Sequence, residues 1–130
     1  MTRAEGSFTI KSWDEDAYQQ LDGDAKLTRA RVTFEITGDL AGEGHWDALM
    51  CYRQDGSAVY TGLQHTVVTV AGRSGSFVLR TDGVFEGGAA RTSWEVIAGS
   101  GTGELAAVTG SGESISTGPP GGTYSLELEG

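Results

Sequence analysis

The chain has 130 residues, 21 of them glycine, two proline and one cysteine, with 18 acidic against 9 basic side chains and a formal charge of -9. That length suits one domain with its own core, and the acidic balance excludes nucleic acid and anionic membranes, which bind through Lys and Arg displacing counterions. A lone Cys51 rules out an internal disulfide, no long apolar stretch follows the first residues, and Asn is absent, so the expected setting is the cytoplasm, without membrane contact or N-glycosylation.

Short runs of alternating apolar and polar residues fill the sequence, with glycine about every ten residues and no room for a long helix. The first predicted strand runs from Gly6 to Trp13, with Phe8 and Ile10 on one face. The acidic segment from Asp14 to Asp24 does not alternate and reads as a solvated loop, with room for a helical turn over Ala17 to Leu21. From Leu27 to Thr37 the pattern is clean: Ala30, Val32, Phe34 and Ile36 oppose Arg29, Arg31, Thr33 and Glu35, giving one dry side and one wet side.

A third strand from Gly42 to Arg53 groups Gly44, Trp46, Ala48, Met50 and Tyr52. Asp55-Gly56 then supplies a hairpin with the positive φ angles of a primed turn. The fourth strand, Ala58 to Val70, has apolar groups on both faces, so one face is open to another subunit. After a turn at Ala71 to Gly75, the fifth strand covers Ser76 to Phe85 and the sixth Ala89 to Ile97, joined through Gly87-Gly88. Two glycine clusters over Gly99 to Gly112 bracket a short piece read as one helical turn leading into a strand. Thr117 to Gly122 is a loop, and Tyr124 to Glu129 is the last strand. Seven or eight strands of this kind make an all-β protein, a single closed antiparallel barrel over residues 1–130, and closure removes sticky edges.

Lys11-Ser12-Trp13-Asp14-Glu15, Thr37-Gly38-Asp39, Met50 with Tyr52-Arg53, Gly62-Leu63, Gly72-Arg73-Ser74-Gly75-Ser76-Phe77 and Gly99-Ser100-Gly101-Thr102-Gly103-Glu104-Leu105 together resemble a bacterial family of small domains of unknown function. Those domains are similar in fold to the allene oxide cyclase barrel. The last motif, with Gly110-Ser111-Gly112 after it, also resembles the glycine-bracketed turn of plant allene oxide cyclases and dirigent proteins. The resemblance implies a barrel whose relatives bind apolar small molecules in the lumen and steer cyclisation or coupling without a cofactor.

Motifs for harder chemistry lack context. Gly101-x-Gly103-x-x-Ala106 fits a dinucleotide fingerprint formally, but without a parallel strand before it and a long helix after it the spacing reads as a turn. GxxxxGK[ST], GxSxG and HExxH do not occur. His45 and His65 read as surface residues rather than metal ligands, because a catalytic metal usually takes three preset protein ligands. Cys51 reads as a small buried apolar group, and Glu35, Asp47 and Glu95 as solvated outer carboxylates. No metal and no cofactor are expected.

The aromatic set remains. Phe34, Trp46, Met50, Tyr52, Phe77 and Trp94 fall in phase toward one lumen, where they either fill it or line a pocket. Ala30, Gly44 and Ala48 leave room and favour a pocket, in which Tyr52, Tyr60 and Gln64 are the polar handles and candidate catalytic groups. Trp13 and Glu15 fall at a barrel mouth, where a lid or ligand would meet them. The expected function is binding of an apolar small organic molecule in the lumen, with positioning for a cofactor-free cyclisation or isomerisation. The alternatives are a carrier or sensor that leaves its ligand unchanged, and a subunit of a homo-oligomer.

Overall fold

A computed structural model describes residues 2–118 and 120–130, and no helix occurs among them. The strands are β1 (Thr2–Gln20), β2 (Lys26–Gly38), β3 (Ala41–Tyr52), β4 (Ala58–Val70), β5 (Arg73–Glu86), β6 (Ala89–Val96), β7 (Thr102–Gly103), β8 (Thr109–Ser116) and β9 (Gly121–Glu129). Every pairing is antiparallel. The order β4-β3-β2-β1-β9-β8-β6-β5 is closed by pairing of β4 with β5, so eight strands form a ring, with two-residue β7 added at the start of β5.

Side-chain period explains which face each residue takes. In β3 and β4, buried and exposed residues alternate almost without interruption, as strands with one packed and one wet face must. The fourth strand occupies the residues expected of it, with Tyr60, Gln64, Thr66 and Val68 inside and Val59, Leu63 and Val67 outside.

The first strand departs from expectation. It continues through the acidic segment to Gln20, and its register against β2 shifts between Ile10 and Ser12. That bulge reverses the parity: Ile10 lies opposite inward Phe34, whereas beyond it Trp13 and Glu15 lie opposite inward Val32 and Ala30. A single even-odd pattern cannot span the irregularity, and the loop expected from Asp14, with its helical turn over Ala17 to Leu21, is strand as far as Gln20. The glycine-bracketed segment after β6 is likewise not helical. It contributes β7, a series of turns that bury Leu105 and Val108, and then β8.

Two turns also differ from the sequence reading. At Asp55-Gly56 only Gly56 has positive φ, at 87°, and Gly56 N–H donates to Arg53 C=O at 3.1 Å, so this is not a primed two-residue turn. The primed geometry occurs instead at Ala71-Gly72, with φ of 52° and 76°, where β4 and β5 meet directly through Val70 and Arg73. The loop expected at Thr117 to Gly122 is shortened by the start of β9, and its Pro119 lies outside the described residues.

The two ends of the ring differ. At one end, the β2–β3 and β4–β5 turns and the segment after β6 gather over a core in which Leu40, Phe77, Leu79, Leu105, Leu126 and Leu128 are wholly buried. Tyr124 fastens this end: its hydroxyl donates to Thr37 C=O at 2.7 Å and accepts from Leu40 N–H at 2.9 Å. At the other end β9 leaves β1 at Thr9, so the distal half of β1 is a free edge beside an opening, paired on its other side with β2, which stays paired with β3 down to Lys26.

Candidate functional site

Beneath that opening lies a cavity of ≈ 610 Å³, within the range of small-molecule pockets. One wall is a chain of interlocked rings. Phe8 meets Phe34 edge-on with centroids 5.3 Å apart, Trp46 follows at 6.5 Å, and Trp46 in turn meets Tyr60 at 5.5 Å and Trp13 at 6.2 Å. Edge-to-face contacts of this kind add directional attraction to burial and hold each ring in place. The wall from β5, β6 and β8 sets small residues and hydroxyls, Thr81, Ala90, Thr92, Ser114 and Ser116, beside Phe85 and Trp94.

The hollow therefore does not arise where glycine and alanine suggested it. A Cβ at Gly44 would stand 2.8 Å from the Gln64 amide, so the space beside that glycine is occupied by Gln64. Ala30 and Ala48 are packed in the wall. Room comes instead from the short side chains of β6 and β8, and a Cβ at Gly83 would meet the Tyr60 ring at 2.4 Å.

Ties between the walls fix the cavity's shape. The Trp46 indole N–H donates to Thr81 Oγ1 at 2.8 Å, and the Tyr60 hydroxyl shares a hydrogen bond with Thr92 Oγ1 at 2.7 Å. Burial pushes the Tyr60 phenol up from its ordinary pKa, against a smaller opposing effect of Thr92, so it stays protonated at neutral pH. Three polar groups remain available. Gln64 is 4% exposed, and its amide nitrogen makes one 3.4 Å contact to Thr66 Oγ1. Trp94, 6% exposed and stacked on Tyr124 at 5.7 Å, and Ser114, 7% exposed, have no side-chain hydrogen-bond partner among the described residues. No fully enclosed side-chain polar atom lacks a partner among those residues, so the free groups of Trp94 and Ser114 open onto the cavity.

Glu15 organises the mouth. Its carboxylate accepts hydrogen bonds from Trp13 Nε1 at 2.9 Å, Thr28 Oγ1 at 2.6 Å and the Tyr52 hydroxyl at 2.7 Å. Desolvation raises the Glu15 pKa, but the bonds from Thr28, Tyr52 and Trp13 and the charge of Lys26 outweigh it, and the net shift is downward. For Tyr52, desolvation comes first, then the hydrogen bond and charge of Glu15, and together they drive the phenol pKa strongly upward. Lys26 Nζ lies 5.3 Å from the centroid of the Tyr52 ring. An ionised carboxylate and a protonated phenol are thus joined across the rim, tying the free edge of β1 to β3.

Of the residues singled out from sequence, Phe34, Trp46, Met50, Tyr52, Tyr60, Gln64, Trp94 and Trp13 share this cavity, and Glu15 stands at its rim. Phe77 does not line it: wholly buried in the closed end, it has the right phase but the wrong height along the barrel. Cys51 is exposed on the outside of β3 rather than buried. Glu35, Asp47 and Glu95 face solvent, Asp47 paired with Arg29 at 2.7 Å and Glu95 with Arg80. His45 and His65 lie opposite each other on the outer surface, and no metal-competent group of three ligands occurs among the described residues. Missed from sequence were Phe8, Ile10, Ala58, Phe85 and the hydroxyl wall. Alternation in β6 and β8 carried a signal for the hydroxyls, but the helical reading of the glycine-bracketed segment hid where β8 begins.

Comparison with known proteins agrees with this architecture. A crystal structure of a DUF3224-family protein of unknown function from Shewanella oneidensis MR-1 superposes with a TM-score of 0.82 and 29% identity, covering 99% of this chain and 96% of that one. No curated protein matches the sequence. Residues 4–128 match the family described as protein of unknown function DUF3224, and with nearly the whole barrel inside the match the chain belongs to that family.

Proposed function

We propose that the open half of the barrel binds an apolar small organic molecule. The observation that carries this reading is a ring-walled cavity of ≈ 610 Å³ with Gln64, Trp94 and Ser114 presenting free polar groups into it. A space meant only as core would be filled, since an unfilled apolar void forfeits packing energy. Native mass spectrometry on protein purified from its own host tests it: the wild type carries a bound small molecule and Ser114→Phe does not. A wild-type protein with no added mass and no affinity for any apolar probe would overturn it.

Catalysis is a second reading, favoured by the Glu15–Tyr52 pair at the rim and by the resemblance of the glycine-bracketed motif from Gly99 to Leu105 to that of allene oxide cyclases. Held ring-shaped, a substrate could close or rearrange there by positioning alone. Recovery of the ligand after incubation separates the readings: an altered molecule, with turnover lost in Tyr52→Phe, supports the catalyst, and an unchanged one the carrier or sensor. A homo-oligomer has its own support in the outer stripe of Leu49, Cys51, Val59, Leu63 and Val67, where Leu49 is 50% and Leu63 51% exposed. Solution mass tests it, and a monomer removes it.

A soluble setting fits the outer surface. No helix among the described residues is long and apolar enough to cross a membrane. The outward positions of β2, β3 and β5 carry Arg29, Arg31, Glu35, Asp47 and Arg80, the opposite of the apolar band that a membrane barrel turns to lipid.

A further inference from the structure

Charge narrows what the cavity can hold. Among the described lining residues there is no Asp, Glu, Lys, Arg or His. The hydrogen-bonding groups it offers, the Gln64 amide, the Ser114 hydroxyl and the Trp94 N–H, are all neutral. Ionised groups gather outside, where Asp14, Glu15, Asp24 and Asp55 share a polar recess with Lys26 and Arg53 beside the mouth. Within it, Glu15 already has three donors, and Lys26 sits over the Tyr52 ring.

A carboxylate or sulfonate carried inward would meet rings and hydroxyls but no cation. Burying an unpaired charge costs far more than burying a neutral polar group that finds a hydrogen bond. A cation would need an open ring face. Here no carboxylate among the described residues lines the cavity to pair with it, Trp46 packs edge-to-face with both Trp13 and Tyr60, and one face of Trp94 is covered by Tyr124.

We propose that the cavity selects an uncharged apolar compound bearing at least one hydrogen-bonding group and rejects organic anions and cations of the same shape. The inference rests on the reading of this cavity as a binding site.

The test uses the full chain and N-phenylnaphthylamine, an uncharged ring compound with one N–H, as fluorescent reporter. Its competitors are naphthylmethanol, naphthylacetate and naphthylmethylammonium, one ring system carrying an alcohol, a carboxylate or an ammonium. At neutral pH the alcohol displaces the reporter at a concentration at least about tenfold lower than either ion. The preference persists from about 0.05 M to about 0.5 M salt, because it arises from desolvation inside the cavity and not from screened repulsion by the acidic chain. Either ion matching or beating the alcohol, or a preference that vanishes in high salt, overturns the inference while leaving the binding reading intact. A reporter that fails to bind, or binds Ser114→Phe as well as wild type, removes the binding reading and this one with it.

Discussion

At the closed end of the barrel the inward positions of β5 and β9 hold Phe77, Leu79, Leu126 and Leu128, all wholly buried, whereas further along β5 and on β6 and β8 they hold Thr81, Thr92 and Ser114 around the cavity. Strand period is the same at both ends, and so is the antiparallel pairing. Alternation therefore decides which residues face inward, and side-chain volume decides whether the inside is solid or hollow. The solid half keeps the ring in shape, and the hollow half is free to be a site.

Breaking the solid half has the largest expected effect. Phe77→Ala leaves a cavity in a packed region and lowers stability by about 3–5 kcal/mol, read from urea unfolding; a loss below about 1 kcal/mol would place the core elsewhere. Filling the hollow half is the complementary change. Ser114→Phe weakens binding of an uncharged ring probe more than about tenfold, yet costs less than the 1–3 kcal/mol, roughly, of overpacking a filled core. An equal stability loss in the two variants would erase the distinction between the ends.

Trp46→Phe tests the tie between the walls. It removes the indole N–H from Thr81 and lowers stability by about 1 kcal/mol, and a double-mutant cycle with Thr81→Val assigns that cost to the bond if the two changes are non-additive. The smallest effect belongs to the mouth. Glu15 is held below its ordinary pKa of 4.5 in the folded chain, so its contribution is fully present above that value and is lost as pH falls through the lower folded pKa. Glu15→Gln costs less than about 1 kcal/mol after allowance for solvent screening. Its stability difference from wild type shrinks in acid, and a difference constant from neutral pH down to acid would dismiss the carboxylate as a clamp.

The barrel was legible because β2, β3 and β4 alternate cleanly, and β4 begins at Ala58 and ends at Val70 as read. Beyond Trp13 the pattern failed for a local reason: a bulge at Lys11 changes parity, and no periodic rule survives an inserted residue. The segment between the two glycine clusters, read as one helical turn, instead makes consecutive turns that bury Leu105 and Val108. The site was half legible. Phase placed Phe34, Trp46, Met50 and Trp94 inside correctly but carried no information on height, so Phe77 was grouped with them. The outward parity of Cys51, shared with Asp47 and Arg53, pointed to exposure, and the usual burial of cysteine overrode it.

Among the described residues, ring closure is complete everywhere except along the distal half of β1. From Ser12 onward β1 pairs only with β2 among the described residues, which leaves one margin with unclaimed amides and carbonyls, an invitation to another chain. Asp14, Glu15 and Asp16 stand on that margin, with Asp22 and Asp24 at its tip. Two copies approaching there meet as like charges, so part of the acidity that first looked like bulk composition works as a guard against fibre-like growth from the one open seam.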